Sequence, residues 1–363
     1  MKNNINSIKK NASRFFLVLI TLLSFTSCEN EFDSDKTPNS NVLPPVIKSV
    51  SEAREDVPVT QGVLENTYIV RGENLGTITS VTINGYPASI APALGTDNLI
   101  FIRIPEDAPY VGQSNILRIA NAVGYTDYDF SLLTIEEFTE DTIDGVKVVN
   151  LIGGDFTDTE TVTFVSGSEE NGDLVERPAE ILSISETTVV AAVPAGVEQA
   201  FIFLATTRGA VVQSDSYGFN YSIFIDALNP DWSMSQWGGT FDVQATDPAL
   251  GQYSIQSVRE GWSGLTFLPP NIAFDEYDSI TVSIYGTGAP GDSVTLAIND
   301  FDGSASHQQL VLVPGQWTKF VIPLSDFYPN GGEPDTIFRL DFQESSNTGQ
   351  AQYIFYVDDF GFL

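Results

Sequence analysis

The last third of the chain gathers the residue types that hold a sugar. Trp237, Trp262 and Tyr285 carry flat π faces, while Asn299, His307, Arg339, Asp341 and Gln343 carry donors and acceptors. A pyranose presents C–H bonds on its faces, which stack on aromatic rings, and hydroxyls around its rim, which amides, carboxylates and guanidinium groups can meet. Trp237 and Trp262 are followed by Gly238-Gly239 and Ser263-Gly264, small neighbours that leave a ring uncovered. Trp232 and Trp317 read as core residues, because tryptophan is highly buried on average.

Cutting a glycan would demand more: two carboxyl groups flanking the scissile bond, about 5.5 Å apart for retention. The nearest run, Glu276 to Thr281, has no second glutamate. Asp341 beside Arg339 favours the charged carboxylate, the wrong state for a general acid. The lone histidine, His307, sits in no nucleophile motif. The residues read as a binding set without catalysis.

Strands must position this set, and alternation assigns their faces. In Ile337 to Gln343, the apolar Phe338, Leu340 and Phe342 point one way and Arg339, Asp341 and Gln343 the other. Val294, Leu296 and Ile298 oppose Thr295, Ala297 and Asn299, and Val282 and Ile284 oppose Ser283 and Tyr285. If these strands share one sheet, its outer flank brings Trp237, Trp262 and Tyr285 together with the polar groups.

The whole chain reads as all-β. Its 29 glycines and 19 prolines, with many Thr, Ser, Asn and Asp, punctuate short Val-, Ile-, Phe- and Tyr-rich runs. After Cys28 no stretch holds a helical apolar period over several turns, and no phosphate cradle is present. With 363 residues, 42% of them hydrophobic, the chain can build several cores. The formal charge of -32 repels nucleic acid, anionic lipid and strongly acidic polymers, which leaves a neutral glycan such as a β-glucan as the expected ligand.

Cys28, the single cysteine, follows a basic leader (Lys2, Lys9, Lys10, Arg14) and an apolar run from Phe15 to Phe25. That order is the layout of a secretory signal ending at a lipid-accepting cysteine, and the run is too short to span a bilayer. Residues 1–28 are therefore expected to be a lipoprotein signal and residues 29–43 a flexible tether. The membrane would be touched through the lipid anchor alone. The acidic residues after Cys28 (Glu29, Glu31, Asp33, Asp35) resemble the surface-export signal of Bacteroidota lipoproteins, which implies the outer face of the outer membrane.

Two internal repeats follow, about 80 residues apart, the size of one small sandwich. Tyr68 to Leu75 with Val81 to Asn84 lines up with Val149 to Phe156 with Val162 to Phe164, and each unit reaches a strand ending in proline, at Pro105 and Pro194. The pattern resembles the IPT/TIG family of immunoglobulin-like domains, with Pro45 to Val50 as an opening strand. It implies a first unit over 44–134 and a second over 135–221, acting as spacers.

Residues 222–363 hold every tryptophan and the histidine. Asp226 to Trp232, Gly251 to Ile255 and Tyr356 to Phe362 resemble a carbohydrate-binding module of the β-jelly-roll kind, whose members commonly hold a structural calcium between first and last strands. The resemblance implies Asp226 and Asp358 as carboxylate ligands and the backbone near Gln252 as a carbonyl ligand, with Asp247 a weaker candidate; the alternative is that these acids only cap strand ends. The fold expected is thus two tandem Ig-like β-sandwiches followed by a larger jelly-roll β-sandwich. The whole resembles surface glycan-binding lipoproteins that capture polysaccharide for TonB-dependent glycan importers. An adhesin or scaffold for a protein partner, and less so a sandwich glycoside hydrolase, are the alternatives.

Overall fold

Gly72 and Gly153, at equivalent places in the two repeats, have the same structural reason to be glycine. A Cβ on Gly72 would stand 1.8 Å from the Val46 carbonyl oxygen, and one on Gly153 would stand 2.1 Å from that of Thr134. In both units the preceding strand carries a register shift at this point, between Ile47 and Ser49 and between Ile135 and Glu137. The turn that follows puts Asn74 and Asp155 in the left-handed region, which short polar side chains tolerate.

The structure, a computed structural model, describes residues 42–91, 94–299, 307–345 and 353–363. The leader, Cys28 and the acidic residues after it lie outside the described residues. Among those described, no helix is long and apolar enough to cross a membrane.

Three apolar cores follow one another along the chain. The first, around Tyr68, Val70, Ile102, Leu117, Ile119 and Phe130, lies between two four-stranded sheets. The second, around Val149, Leu151, Phe156, Phe164, Ile202 and Leu204, lies between a five-stranded and a four-stranded sheet. One strand, Ser131–Ile143, serves both: Ser131 to Leu133 pair in parallel with Gln61 to Val63, and Thr134 onward pairs antiparallel with Val146–Gly154. Buried Gln61 accepts from Thr206 Oγ1 at 2.7 Å and donates to the Asp155 carbonyl at 3.0 Å, so the polar groups of this joint are mutually satisfied.

The distal sandwich has its own strand numbering here: β1 Tyr221–Ile225, β2 Ala227–Leu228, β3 Ser233–Trp237, β4 Thr240–Ala245, β5 Ser254–Arg259, β6 Gly264–Leu268, β7 Ile272–Ala273, β8 Ser279–Gly286, β9 Ser293–Ile298, β10 Gln308–Val311, β11 Trp317–Pro323, β12 Thr336–Ile337, β13 Leu340–Glu344 and β14 Tyr353–Phe362. One sheet runs β4-β5-β14-β8-β11, with β1 and β2 continuing along β14; the other runs β3-β6-β13-β9-β10. Phe267, Phe342 and Phe360 pack edge to face between them with centroids 5.0 to 5.7 Å apart. The pairing begins at Tyr221, which packs on this third core.

Two expectations about faces are corrected. Ser279–Gly286 belongs to the sheet built on β14, not to the sheet of β9 and β13, so Tyr285 stands on the opposite flank from Arg339, Asp341 and Gln343. Alternation is also interrupted after β12: Phe338 is 58% exposed while Ile337 and Leu340 are both buried, because pairing lapses at Phe338 and Arg339.

Candidate functional site

The outer flank of β3-β6-β13-β9-β10 carries two rows of side chains that cross the strands. Inward-pointing Leu265, Phe267, Leu340, Phe342, Val294, Leu296 and Ile298 leave the alternate positions facing out. One row is Trp237, Gly264, Gln343, Thr295 and Gln309; the next is Ser235, Thr266, Asp341 and Ala297, each residue paired with its neighbour in register.

Trp237 lies flat on the gap at Gly264: a Cβ there would come within 2.1 Å of the indole. Gly264 is therefore a floor for the ring, a different role from leaving it uncovered. The indole N–H of Trp237 donates to the Trp262 carbonyl at 2.9 Å, and the Arg339 guanidinium sits 5.7 Å from the ring centroid, within cation–π range.

Trp262 is 54% exposed and has φ of 67°, a left-handed conformation that a bulky residue avoids at a cost of about 1–3 kcal/mol. The surroundings hold it there. Its N–H donates to the Glu344 carbonyl at 3.2 Å and to the Glu344 carboxylate at 3.3 Å, while its carbonyl accepts from Trp237 and from Gln343 Nε2 at 2.9 Å. Ser263 closes the turn by bonding both ways with the Glu260 backbone. A large ring is thus fixed in solvent by its own backbone.

In the second row, Asp341 is fully buried at the foot of Arg339, accepting from Arg339 Nε at 2.8 Å and from Thr266 Oγ1 at 2.7 Å. Charge-assisted bonds of this kind fix the guanidinium plane. Beneath the tryptophans, Arg259 is wholly buried and binds Ser257 Oγ, the carbonyls of Gly238, Gly264 and Thr240, and Gln236 Oε1, at 2.6 to 3.1 Å. Burial lowers its pKa to about 10, so it stays charged at neutral pH. It ties together the two turns that carry Trp237 and Trp262.

Of the residues expected to bind, Trp237, Trp262, Arg339, Asp341 and Gln343 come together. Tyr285 does not, for the sheet-membership reason above. Asn299 is spent on the backbone: its Nδ2 donates to the Thr336 carbonyl and its Oδ1 accepts from the Phe338 N–H, each at 2.8 Å, which makes it a closure of β9 onto β12. His307 is exposed just before β10, the full width of the sheet from Trp237, roughly 19 Å at about 4.8 Å per strand. Sequence reasoning gave Gly264 another role and missed Thr266, Glu344 and Arg259. Alternation through Gly264–Leu268 would have placed Thr266 outward; nothing local marks Arg259.

The expected calcium ligands serve another purpose. Asp226 accepts from the N–H groups of Gln252 and Tyr253, the latter at 2.8 Å, and Asp358 accepts from those of Ala249 and Leu250 at 2.7 and 3.1 Å. Gln252 thus presents a donor to this site, where a cation needs a lone pair. Asp247 contributes its carbonyl to Ser254 Oγ. Among the described residues no group of three Asp, Glu, His or Cys side chains is placed to hold a metal. As arranged, Asp226 and Asp358 clasp the 247–253 loop. That loop also meets the second sandwich, where Ser168 Oγ donates to the Pro248 carbonyl at 3.1 Å and Gly251 N to the Gly167 carbonyl at 3.4 Å. Burial raises the pKa of Asp226, of Asp358 and of its neighbour Asp359, the last to about 6.

No family model and no curated protein sequence matches the chain. Among solved structures, it is similar to a surface glycan-binding protein of Prevotella bryantii, at 14% identity over 87% of this chain and 98% of that one, with a TM-score of 0.30. It is similar to a protein from a xyloglucan utilization locus of Bacteroides uniformis, at 14% identity over 88% and 99%, with a TM-score of 0.31. A family 11 carbohydrate-binding module of a Clostridium thermocellum cellulase matches at 13% identity over 40% of this chain and 96% of its own, with a TM-score of 0.29. At these scores the fold and the site rest on the chain's own sheets and contacts.

Proposed function

We propose that this protein is a non-catalytic glycan-binding protein whose distal sandwich captures a neutral polysaccharide, with a β-glucan as the first ligand to try. The observation that carries the reading is Trp262, fixed in solvent in a strained conformation beside Trp237 and the Arg339–Asp341 pair. A ring for the sugar face and planar polar groups for its hydroxyls stand within one flank. Base-on-ring stacking is worth about 1–3 kcal/mol, and two or three contacts of that order plus hydrogen bonds reach the roughly -8 kcal/mol of micromolar binding. Catalysis finds no support there: among the described residues the outward positions of this sheet hold one carboxylate, Asp341, already engaged by Arg339.

The rest of the proposal comes from the sequence. Cys28 would carry the lipid, the acidic tract would direct the protein to the outer face of the outer membrane, and two Ig-like units of the IPT/TIG kind would set the distal sandwich off from the surface. A TonB-dependent importer would take the captured polymer. Affinity electrophoresis of the soluble chain lacking its leader, in gels cast with barley β-glucan, laminarin, xyloglucan or galactomannan, tests the central claim. Retardation in at least one gel, weakened on Trp262→Ala, is the expected result; unchanged mobility in every gel would return the site to a protein partner.

A further inference from the structure

The other flank of the distal sandwich carries a row of its own. Asp242 on β4 pairs with Gln256 on β5, Gln256 with Tyr356 on β14, Tyr356 with Tyr285 on β8, and Tyr285 with Trp317 on β11. Alternation settles the face: Phe241, Ile255, Val357 and Ile284, each next to a member of the row, and Phe320, three residues after Trp317, pack into the core, so the row points outward. Five residues in register across five strands span roughly 19 Å at about 4.8 Å per strand. Trp317, expected in the core, is half-buried at one end of this row.

The row joins a polar end, Asp242 and Gln256, to three successive rings, Tyr356, Tyr285 and Trp317. Tyr285 lies 5.7 Å from Trp317 and 5.8 Å from Tyr356, tilted in the first case and edge to face in the second, so successive rings present different aspects to solvent. Gln256 Nε2 donates to the Tyr356 hydroxyl at 2.8 Å, which sets the ring and the amide in one line. Two residues along each strand, Ser283 and Asp358 are buried and Lys319 donates to Gln199 of the second sandwich. The row therefore runs along the foot of that sandwich, with a wall on one side.

We propose that this row is a second glycan-binding surface, taking a stretch of unbranched neutral polysaccharide laid across the strands. The proposal rests on the reading of the protein as a glycan binder. The chemistry excludes other occupants. A nucleic acid strand would need a basic groove beside its stacking rings, and this row ends in Asp242 on a chain of charge -32. A peptide adding a strand would need an unpaired edge, whereas the row crosses three interior strands whose backbones are paired on both sides. Three successive rings continued by an amide and a carboxylate fit a chain of hydroxyl-bearing pyranoses. With one surface on each sheet, a single long polymer or two separate ones can be engaged, and avidity on polymer then exceeds affinity for a short oligosaccharide.

Isothermal titration of the soluble chain with cellohexaose, laminarihexaose and β-1,4-mannohexaose tests this. Two hexasaccharides per chain are expected for at least one probe, one remaining after Trp262→Ala and the other after Tyr285→Ala. A single equivalent, lost on Trp262→Ala and untouched by Tyr285→Ala, overturns the second surface and leaves the first reading standing. A single equivalent lost on Tyr285→Ala and untouched by Trp262→Ala supports the row and removes the first site. No heat from any probe removes both. Should Tyr285→Ala fail to fold, Gln256→Ala leaves the ring packing intact: at least a fivefold weaker second site at unchanged melting temperature supports the row, and unchanged affinity overturns it.

Discussion

The indole N–H of Trp237 is bonded to the backbone carbonyl of Trp262 at 2.9 Å, so the Trp237 ring is anchored to the turn that carries Trp262. Gln343 and Glu344, neighbours on β13, supply the other bonds to Trp262. The strain at Trp262 persists because the surrounding bonds over-determine it.

Trp262→Gly separates binding from stability. Glycine accepts the left-handed backbone freely, so the variant should show weaker retardation in the glycan gels while its melting temperature rises by about 2–4 °C, the equivalent of about 1 kcal/mol in a domain of this size. A fall in melting temperature would mean that the ring is a packing residue.

Gly264→Ala should act on a residue it does not replace. The new methyl would meet the Trp237 ring, which must tilt away, at a cost of about 1–3 kcal/mol in stability. Glycan affinity should fall at least tenfold, and the indole N–H resonance of Trp237 should shift as its bond to Trp262 breaks. An unshifted resonance would contradict the floor assigned to Gly264.

Arg259→Lys keeps the charge and loses the fork. Lysine cannot reach the carbonyls of Gly238, Gly264 and Thr240 together, and each acceptor left dry costs about 1–3 kcal/mol. Urea unfolding should show a loss of about 3 kcal/mol or more, with weaker glycan binding in the still-folded fraction. Equal midpoints for lysine and arginine would show that charge alone suffices.

Asp359→Asn should stabilise the protein at neutral pH. Burial raises the folded-state pKa of Asp359 to about 6, against a partial offset from Lys319. The folded state therefore binds more protons than the unfolded state between about pH 4 and 6. Stability from this group is full below that window and is lost as pH rises through it. The asparagine variant should be the more stable at pH 7.5, and the gain should vanish near pH 4. A gain independent of pH, read from thermal melts across the range, would place the effect elsewhere.

Much of this was legible in the sequence because it is local. Gly72 and Gly153 stood out as a repeat because each packs on the same carbonyl of a bulged strand, a demand that one residue type meets. Asp341 and Gln343 were placed correctly on one face because alternation within β13 is unbroken, and Arg339, just before it, joins them by bonding to Asp341. Tyr285 was misplaced because alternation gives the side of a strand and says nothing of which sheet the strand joins. Asn299 and Phe338 defeat the pattern where pairing lapses between β12 and β13. Arg259 leaves no trace in the sequence, since three of its acceptors are backbone carbonyls that any residue could supply.

The strand Ser131–Ile143 has a mechanical consequence. Since it is hydrogen-bonded into both proximal sandwiches without interruption, no swivel exists between them: turning one against the other requires breaking the ladder at Gln61 to Val63 and the bonds of Gln61 with it. Torque applied to one proximal sandwich would pass through this shared beam to the other.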